Sequence, residues 1–248
     1  MAKGWNLMEV ILRVENLSKK IGKRVIVENI NFQVNEGEVF GFLGPNGAGK
    51  TTTIRMLVGL IKPTTGTINI CGFNLQHNFR QAAKCFGSIV ENPAFYPYLT
   101  GLENLEQFAR LLGDVNGKEI HELSEMLKIK NALKDKVKTY SLGMKQRLGI
   151  VQALLGKPRL LILDEPTNGL DPFGIKELRE FIHYLAREKK ISLFISSHIL
   201  SEIERIADRV MFINNGKIID TVEIDKDLIR EHVSPLEELF FNYTEVKK

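Results

Sequence analysis

Cysteine is nearly absent from this sequence: Cys71 and Cys85 are the two among 248 residues, and they form neither a CxxC pair nor a Cys/His ligand spacing. A disulfide framework and a zinc site are therefore not expected, and both residues read as small core side chains in a reducing cytosol. Long apolar runs are missing as well. No stretch approaches the about 20 residues that cross a bilayer, and Met1 to Val10 lacks the apolar region of a signal peptide. The chain is expected to be soluble or peripheral, and Met8, just before the first strand pattern, is a plausible second start. No charge of one sign dominates, since 34 Lys and Arg against 30 Asp and Glu leave +4. With no long basic run, nucleic-acid binding gains no support. Internal repeats, low-complexity tracts and linkers are lacking too. What remains is a chain with 44% hydrophobic residues, enough to bury the core of one large α/β domain or two small ones.

From Val10 to Val39 the pattern is of short strands: Ile11 to Val14, Val25 to Val27, and Ile30 to Val34, parted by Gly22 and by Asn35-Glu36-Gly37. Glu38 to Leu43 is a compact apolar strand running into a glycine-rich turn, and Thr51 to Leu60 has helical spacing. Thr67 to Ile70 and Cys85 to Val90 resume strand character. Leu99 to Leu112 and Glu119 to Leu127 then form a helical insertion. Leu160 to Leu163 and Ser192 to Ser196 read as buried parallel strands with a helix at Gly174 to Arg187 between them. A short helix (Ser201 to Ala207), a hairpin around Asn215-Gly216 and a closing helix (Pro235 to Tyr243) complete the pattern.

Gly44-Pro45-Asn46-Gly47-Ala48-Gly49-Lys50-Thr51 matches G-x-x-x-x-G-K-[ST] and lies where the mechanism needs it, between a buried strand and a helix. Glycines let the backbone wrap phosphate oxygens, so amide N–H groups and the positive helix end face the anion. Lys50 supplies a point charge to the β- and γ-phosphates. Thr51 offers a hydroxyl to Mg²⁺, which needs only a few protein oxygens, and Thr52 beside it is a further candidate ATP-binding residue.

Leu160-Leu161-Ile162-Leu163-Asp164-Glu165 carries an apolar strand to two carboxylates at its C-terminal end, the edge where open α/β sheets place ligands. Asp164 suits a magnesium ligand, and Glu165 is placed to polarise an attacking water as general base. The alternative is that the pair only caps Pro166-Thr167. Upstream, Ser141 and Gly143 stand at the start of a helix, where a hydroxyl, bare amides and the dipole can hold a γ-phosphate.

Tyr140-Ser141-Leu142-Gly143-Met144-Lys145-Gln146-Arg147 resembles the signature of ABC ATPases, usually written L-S-G-G-Q. The resemblance covers essentially the whole chain, including Asp164-Glu165-Pro166-Thr167, Asn168-Gly169-Leu170-Asp171 and Ser197-His198. It implies an α/β fold with a P-loop core, an N-terminal antiparallel β layer and a helical insertion. Residues 1–248 are then one domain, with 8–90 and 158–222 as β layer and core, 91–157 as insertion with signature, and 223–248 as a helical tail. It also implies a head-to-tail dimer, with a second copy or a homologue of the chain, in which Ser141, Leu142, Gly143 and Met144 cover the ATP held by the opposite phosphate loop and Asp171 lies across the dimer seam. His198, which on its own reads as a satisfied structural histidine after a strand, is by the resemblance a catalytic residue beside the γ-phosphate.

Three departures from the family pattern stand out. Leu142 and Met144 replace the commoner Gly and Gln of the signature. Ile21 stands where an aromatic residue usually stacks on adenine, so it either packs on the base without a π face or is a plain strand residue. Glu91 stands where the family usually has a glutamine that touches magnesium, and is either a metal-linked carboxylate or a solvated loop acid. With Pro93-Ala94-Phe95-Tyr96 after it, Glu91 resembles transporters that protect bacteria from bacitracin and lantibiotic peptides. The function implied is an ATPase motor, peripheral on the inner face of the membrane through separate permease subunits. Phe95, Tyr96 and Tyr98 are candidate permease contacts, or are packed under their loop. The alternatives are a soluble ABC-type ATPase acting on ribosome or DNA, and a small-molecule kinase.

Overall fold

The computed structural model describes residues 9–113 and 116–224. In chain order its elements are Val10–Ile21 (β1), Arg24–Asn35 (β2), Val39–Leu43 (β3), Lys50–Leu57 (α1), Thr65–Ile70 (β4), Phe73–Asn74 (β5), Phe79–Ala83 (α2) and Phe86–Ile89 (β6). Then come Gly101–Leu112 (α3), Gly117–Met126 (α4), two single-turn 3₁₀ segments, Leu142–Leu154 (α5), Leu160–Asp164 (β7), Pro172–Arg187 (α6), Ser192–Ser197 (β8), Leu200–Ile203 (α7), Arg209–Asn214 (β9) and Lys217–Glu223 (β10).

Two sheets result. One is antiparallel, in the order β2-β1-β4-β5; the other runs β10-β9-β3-β8-β7-β6 and is parallel except for β10. Every residue of β3, β7 and β8 is buried, which is why these strands read as unbroken apolar runs. Their side chains alternate between two cores, as the period of a strand requires. Phe40, Phe42, Leu160, Ile162 and Phe194 point to the core shared with the antiparallel sheet. Val39, Leu43, Leu161, Leu163, Leu193 and Ile195 point to the core under the helices. Phe32 of β2 stacks on Phe40 and Phe194 at centroid distances of 5.5 and 5.6 Å, joining the two sheets.

The expected α/β architecture with an antiparallel layer is thus present, with α3, α4 and α5 standing consecutively between β6 and β7. The strands at Val25 to Val27 and Ile30 to Val34 are one element. Asn29 between them adopts a left-handed φ of 49°, and its N–H is taken by Ser18 Oγ at 2.8 Å, so a bulge bends β2 without ending it. α2 and β5 were not anticipated. α3 starts two residues later than its apolar spacing suggests because Thr100 and Glu103 close a capping box. The tail from 225, with the expected helix at Pro235 to Tyr243, and the segment 1–8 lie outside the described residues.

Candidate functional site

β3 delivers the chain into the loop Gly44–Gly49 at the C-terminal edge of the parallel sheet. Gly49 precedes α1 at a φ of 109°, and a Cβ there would stand 3.0 Å from the carbonyl of Ile26, so a side chain would be strained on both counts. Gly44 is tighter still, since its Cβ would fall 2.2 Å from the carbonyl oxygen of Ile213. The β9–β10 turn closes over the loop, with the Gly216 N–H donating to the Ala48 carbonyl at 2.8 Å. No side chain caps α1 and no acid lies in its first turn, which leaves the helix start suited to an anion.

Lys50 is 5% exposed. Its Nζ donates to the carbonyls of Gly44 and Pro45 at 2.7 and 3.2 Å and lies 3.3 Å from Glu165 Oε1. The other oxygen of Glu165 lies 2.5 Å from His198 Nδ1 and accepts from Asn168 Nδ2 at 3.0 Å. Burial pushes the Glu165 carboxyl up, but the His198 hydrogen bond, the Lys50 charge and the Asn168 amide outweigh it and hold the group below the ordinary carboxylate value. Glu165 is therefore ionised at neutral pH and able to accept a proton. Its backbone φ of 48° is the left-handed region, a local strain of the kind that surrounding structure must hold in place.

Asp164 is 3% exposed. Ser196 Oγ donates to Asp164 Oδ1 at 2.6 Å and accepts from the Glu165 N–H at 2.9 Å, so one hydroxyl fixes both acids. The motif reading passed over Ser196, whose only signal is its position on the strand beside Asp164. Asn168, to which the motif assigns no role, holds Glu165, and Thr167, which donates to Glu202 Oε2 at 2.5 Å, ties this loop to the segment after His198. Thr51 and Thr52 are half-buried in the first turn of α1. Among the described residues no group of three or more His, Cys, Asp or Glu could hold a metal alone. Hard oxygen donors such as Thr51 and Asp164 do suit a magnesium ion that takes its remaining ligands from water and phosphate.

Ile21 is 59% exposed at the tip of the β1–β2 hairpin, opposite Arg24. Glu91 also has a left-handed φ, of 59°, and its Oε1 pairs with Arg55 Nη2 at 2.5 Å. Arg55 lies one helical turn beyond Thr51, so the Glu91 carboxylate reaches the same face of α1. Phe95 packs against the helical core, whereas Tyr96 and Tyr98 are exposed with ring centroids 5.9 Å apart. Buried Asn104 pins their loop by accepting from the Tyr96 N–H at 2.8 Å and donating to the carbonyls of Tyr96 and Thr100.

The signature residues gather elsewhere. Ser141 caps α5, its Oγ accepting from the Met144 N–H at 3.2 Å while its own proton stays available to an anion. Asp171 caps α6, accepting from the Gly174 N–H at 2.7 Å. Ser141, Leu142, Gly143, Met144 and Asp171 together line a pocket of about 550 Å³. None of Lys50, Glu165 and His198 lines it, so the phosphate-loop residues and the signature residues stand on separate surfaces of one chain.

A model of the family described as ABC transporter matches residues 27–168. The chain is 51% identical to the bacitracin transport ATP-binding protein BcrA of Bacillus licheniformis over 88% of this chain and 71% of that protein. It is 44% identical to the lantibiotic transport ATP-binding protein SrtF of Streptococcus pyogenes over 94% of this chain and 96% of that one. A solved structure of an ATP binding subunit of an ABC transporter superimposes with a TM-score of 0.83 at 33% identity, covering 95% of this chain and all of that one.

Proposed function

Because the chain belongs to the ABC transporter family as an ATP-hydrolysing subunit, we propose that its site is completed by a second ATPase subunit and drives a separate membrane permease. The observation that carries this reading is the division of the site. Lys50, Glu165 and His198 form one contact chain beside the phosphate loop, while Ser141, Gly143 and Asp171 face a different pocket. A two-fold dimer, in which the phosphate-loop half of each chain meets the signature half of the other, would bring the two together twice.

In this reading the loop amides of Gly44 to Thr51, with Pro45, Asn46, Gly47, Ala48 and Gly49 between them, wrap the phosphates of ATP. Lys50, already beside a carboxylate, exchanges part of that contact for phosphate oxygens. Thr51 and Asp164 would hold magnesium, which supplies charge to the phosphates when bound, with Glu91 close to the same helix face. Glu165 accepts the proton of the attacking water. His198 keeps the Glu165 carboxylate oriented and adds a donor near the γ-phosphate. Ser141 and Gly143 of the second subunit present a helix N-terminus to that phosphate, with Leu142, Met144 and Asp171 at the seam. Ile21 packs on the base.

The whole chain acts as one domain, with residues 91–157 as its permease-facing insertion. Exposed Tyr96 and Tyr98, on a loop pinned by Asn104, are the contacts proposed for the permease. Among the described residues no helix is long and apolar enough to cross a membrane; the transport ATP-binding relatives support a peripheral place on the cytoplasmic face, held there by the permease. The names of the BcrA and SrtF relatives support a peptide antibiotic as the transported class, and nothing in them favours a ribosome- or DNA-directed ATPase. Lys50→Ala tests the nucleotide half: equilibrium binding of MgATP should be lost, and an unchanged dissociation constant would refute the assignment.

A further inference from the structure

Outside the contacts already used, Glu177 of α6 draws together three pieces of the molecule. Its Oε2 lies 2.5 Å from Arg147 Nη2 on α5 and its Oε1 2.7 Å from Lys128 Nζ, just beyond α4, with the Glu177 side chain only 14% exposed. The hydrogen bond from Lys128, with the charge of Arg147, holds its carboxyl below the ordinary value. Arg147 also donates to the carbonyl of Leu127 at the end of α4. Lys128, Arg147 and Glu177 line, together with Met126, Ile150, Leu178 and Phe181, an open pocket of about 170 Å³, so apolar packing alone does not close this junction.

The register of the pair is informative. Arg147 lies six residues past the cap Ser141, and Glu177 six past the cap Asp171. Each is therefore about 9 Å along its helix from the cap, and the Arg147 side chain itself lines the signature pocket while Glu177 does not. The two helix ends are in contact there, since a Cβ on Gly143 would meet Leu170 Cδ2 at 3.2 Å and one on Gly169 would meet Leu142 Cδ2 at 2.0 Å. Asp171 places a carboxylate on the positive end of α6, whereas α5 is capped only by the Ser141 hydroxyl. The Arg147–Glu177 ion pair ties the two helices together at matched height.

We propose that Glu177 is a positioning residue for ATP hydrolysis: through Arg147 it fixes the Ser141–Gly143 helix end against the Gly169–Asp171 loop, so that both meet the opposite subunit's nucleotide as one surface. The inference rests on the head-to-tail reading above. Glu177 touches no reacting atom and belongs to neither nucleotide-binding half.

The test uses the full chain carrying Glu165→Gln, in which MgATP is expected to drive dimer formation without turnover. Adding Glu177→Gln keeps the side chain's shape and removes its charge. The protein concentration for half-dimerisation on light scattering should rise about tenfold, the size of a coupled pair, while binding of a fluorescent ADP to the monomer stays within about twofold. Arg147→Gln should give the same loss, and the two together no more than the worse of them. Dimerisation unchanged by Glu177→Gln overturns the proposal, and so does a parallel loss of ADP binding, which would mark a general loss of fold. If the Glu165→Gln parent itself stays monomeric, the head-to-tail reading fails and the inference falls with it, an outcome distinct from the other two.

Discussion

Ser196→Ala removes one oxygen atom from a position where the structure uses it twice. Ser196 is fully buried, donating to Asp164 Oδ1 at 2.6 Å and accepting from the Glu165 N–H at 2.9 Å. Without it a buried carboxylate loses a charge-assisted bond and a backbone amide loses its acceptor. Each such loss costs about 1–3 kcal/mol, and with some relaxation around the gap the total should be about 3 kcal/mol. For a chain of this size that lowers Tm by roughly 6–12 °C. Ser192→Ala is the matched control: Ser192 is equally buried on the same strand but accepts one bond, from the Gly37 N–H at 3.1 Å, and its removal should cost about 1 kcal/mol. The two variants should also part in catalysis. With the strained backbone of Glu165 no longer held, kcat should fall about 10- to 100-fold, equivalent to about 1.4–2.8 kcal/mol, while the KM for ATP stays within about threefold. Calorimetry and steady-state hydrolysis decide the matter. If Ser192→Ala lowers kcat as much as Ser196→Ala, or if Ser196→Ala leaves both Tm and kcat unchanged, the account of how the two acids are held is wrong.

Glu91→Gln breaks a half-exposed pair with Arg55, so unfolding free energy should change by less than about 1 kcal/mol; a carboxylate linked to the metal should nonetheless raise the Mg²⁺ needed for half-maximal hydrolysis, and coincident titrations would remove Glu91 from the metal's surroundings. Tyr96→Ala with Tyr98→Ala removes two exposed rings from a loop that Asn104 continues to hold, so hydrolysis by the isolated subunit should stay within about twofold while co-purification with the permease is lost; retention of the permease would exclude this loop as its docking surface.

The parts legible in the sequence are those whose physics is local. The phosphate loop needs glycines, a lysine and a threonine in sequence order, and the structure places Lys50 at the helix start with its charge turned into the loop. β3, β7 and β8 announce themselves because burial on both faces leaves no room for polar alternation. Ser196 was illegible because its role depends on strand register, Asp164 pairing with it across β7 and β8. Glu177 was illegible for the same kind of reason, its partners standing 30 and 49 residues away in sequence. Glu28-Asn29 looked like the end of a strand because a single left-handed residue mimics a turn until the neighbouring strand is known. α2 spans only Phe79–Ala83, too short for a helical period to emerge.

The central claim is that the phosphate-loop and signature surfaces of one chain belong to one site in a pair of chains. Its most direct measurement is the molar mass in solution, by light scattering at saturating MgATP, of Glu165→Gln alone and of Glu165→Gln combined with Ser141→Arg. The account predicts a doubled mass for the first. For the second it predicts a monomer that still binds nucleotide, because Ser141 caps α5 at a pocket that none of Lys50, Glu165 and His198 lines, and the proposed dimer sets that helix end against the other subunit's phosphate. A monomeric Glu165→Gln protein, or a Ser141→Arg variant that dimerises as readily as its parent, would contradict it.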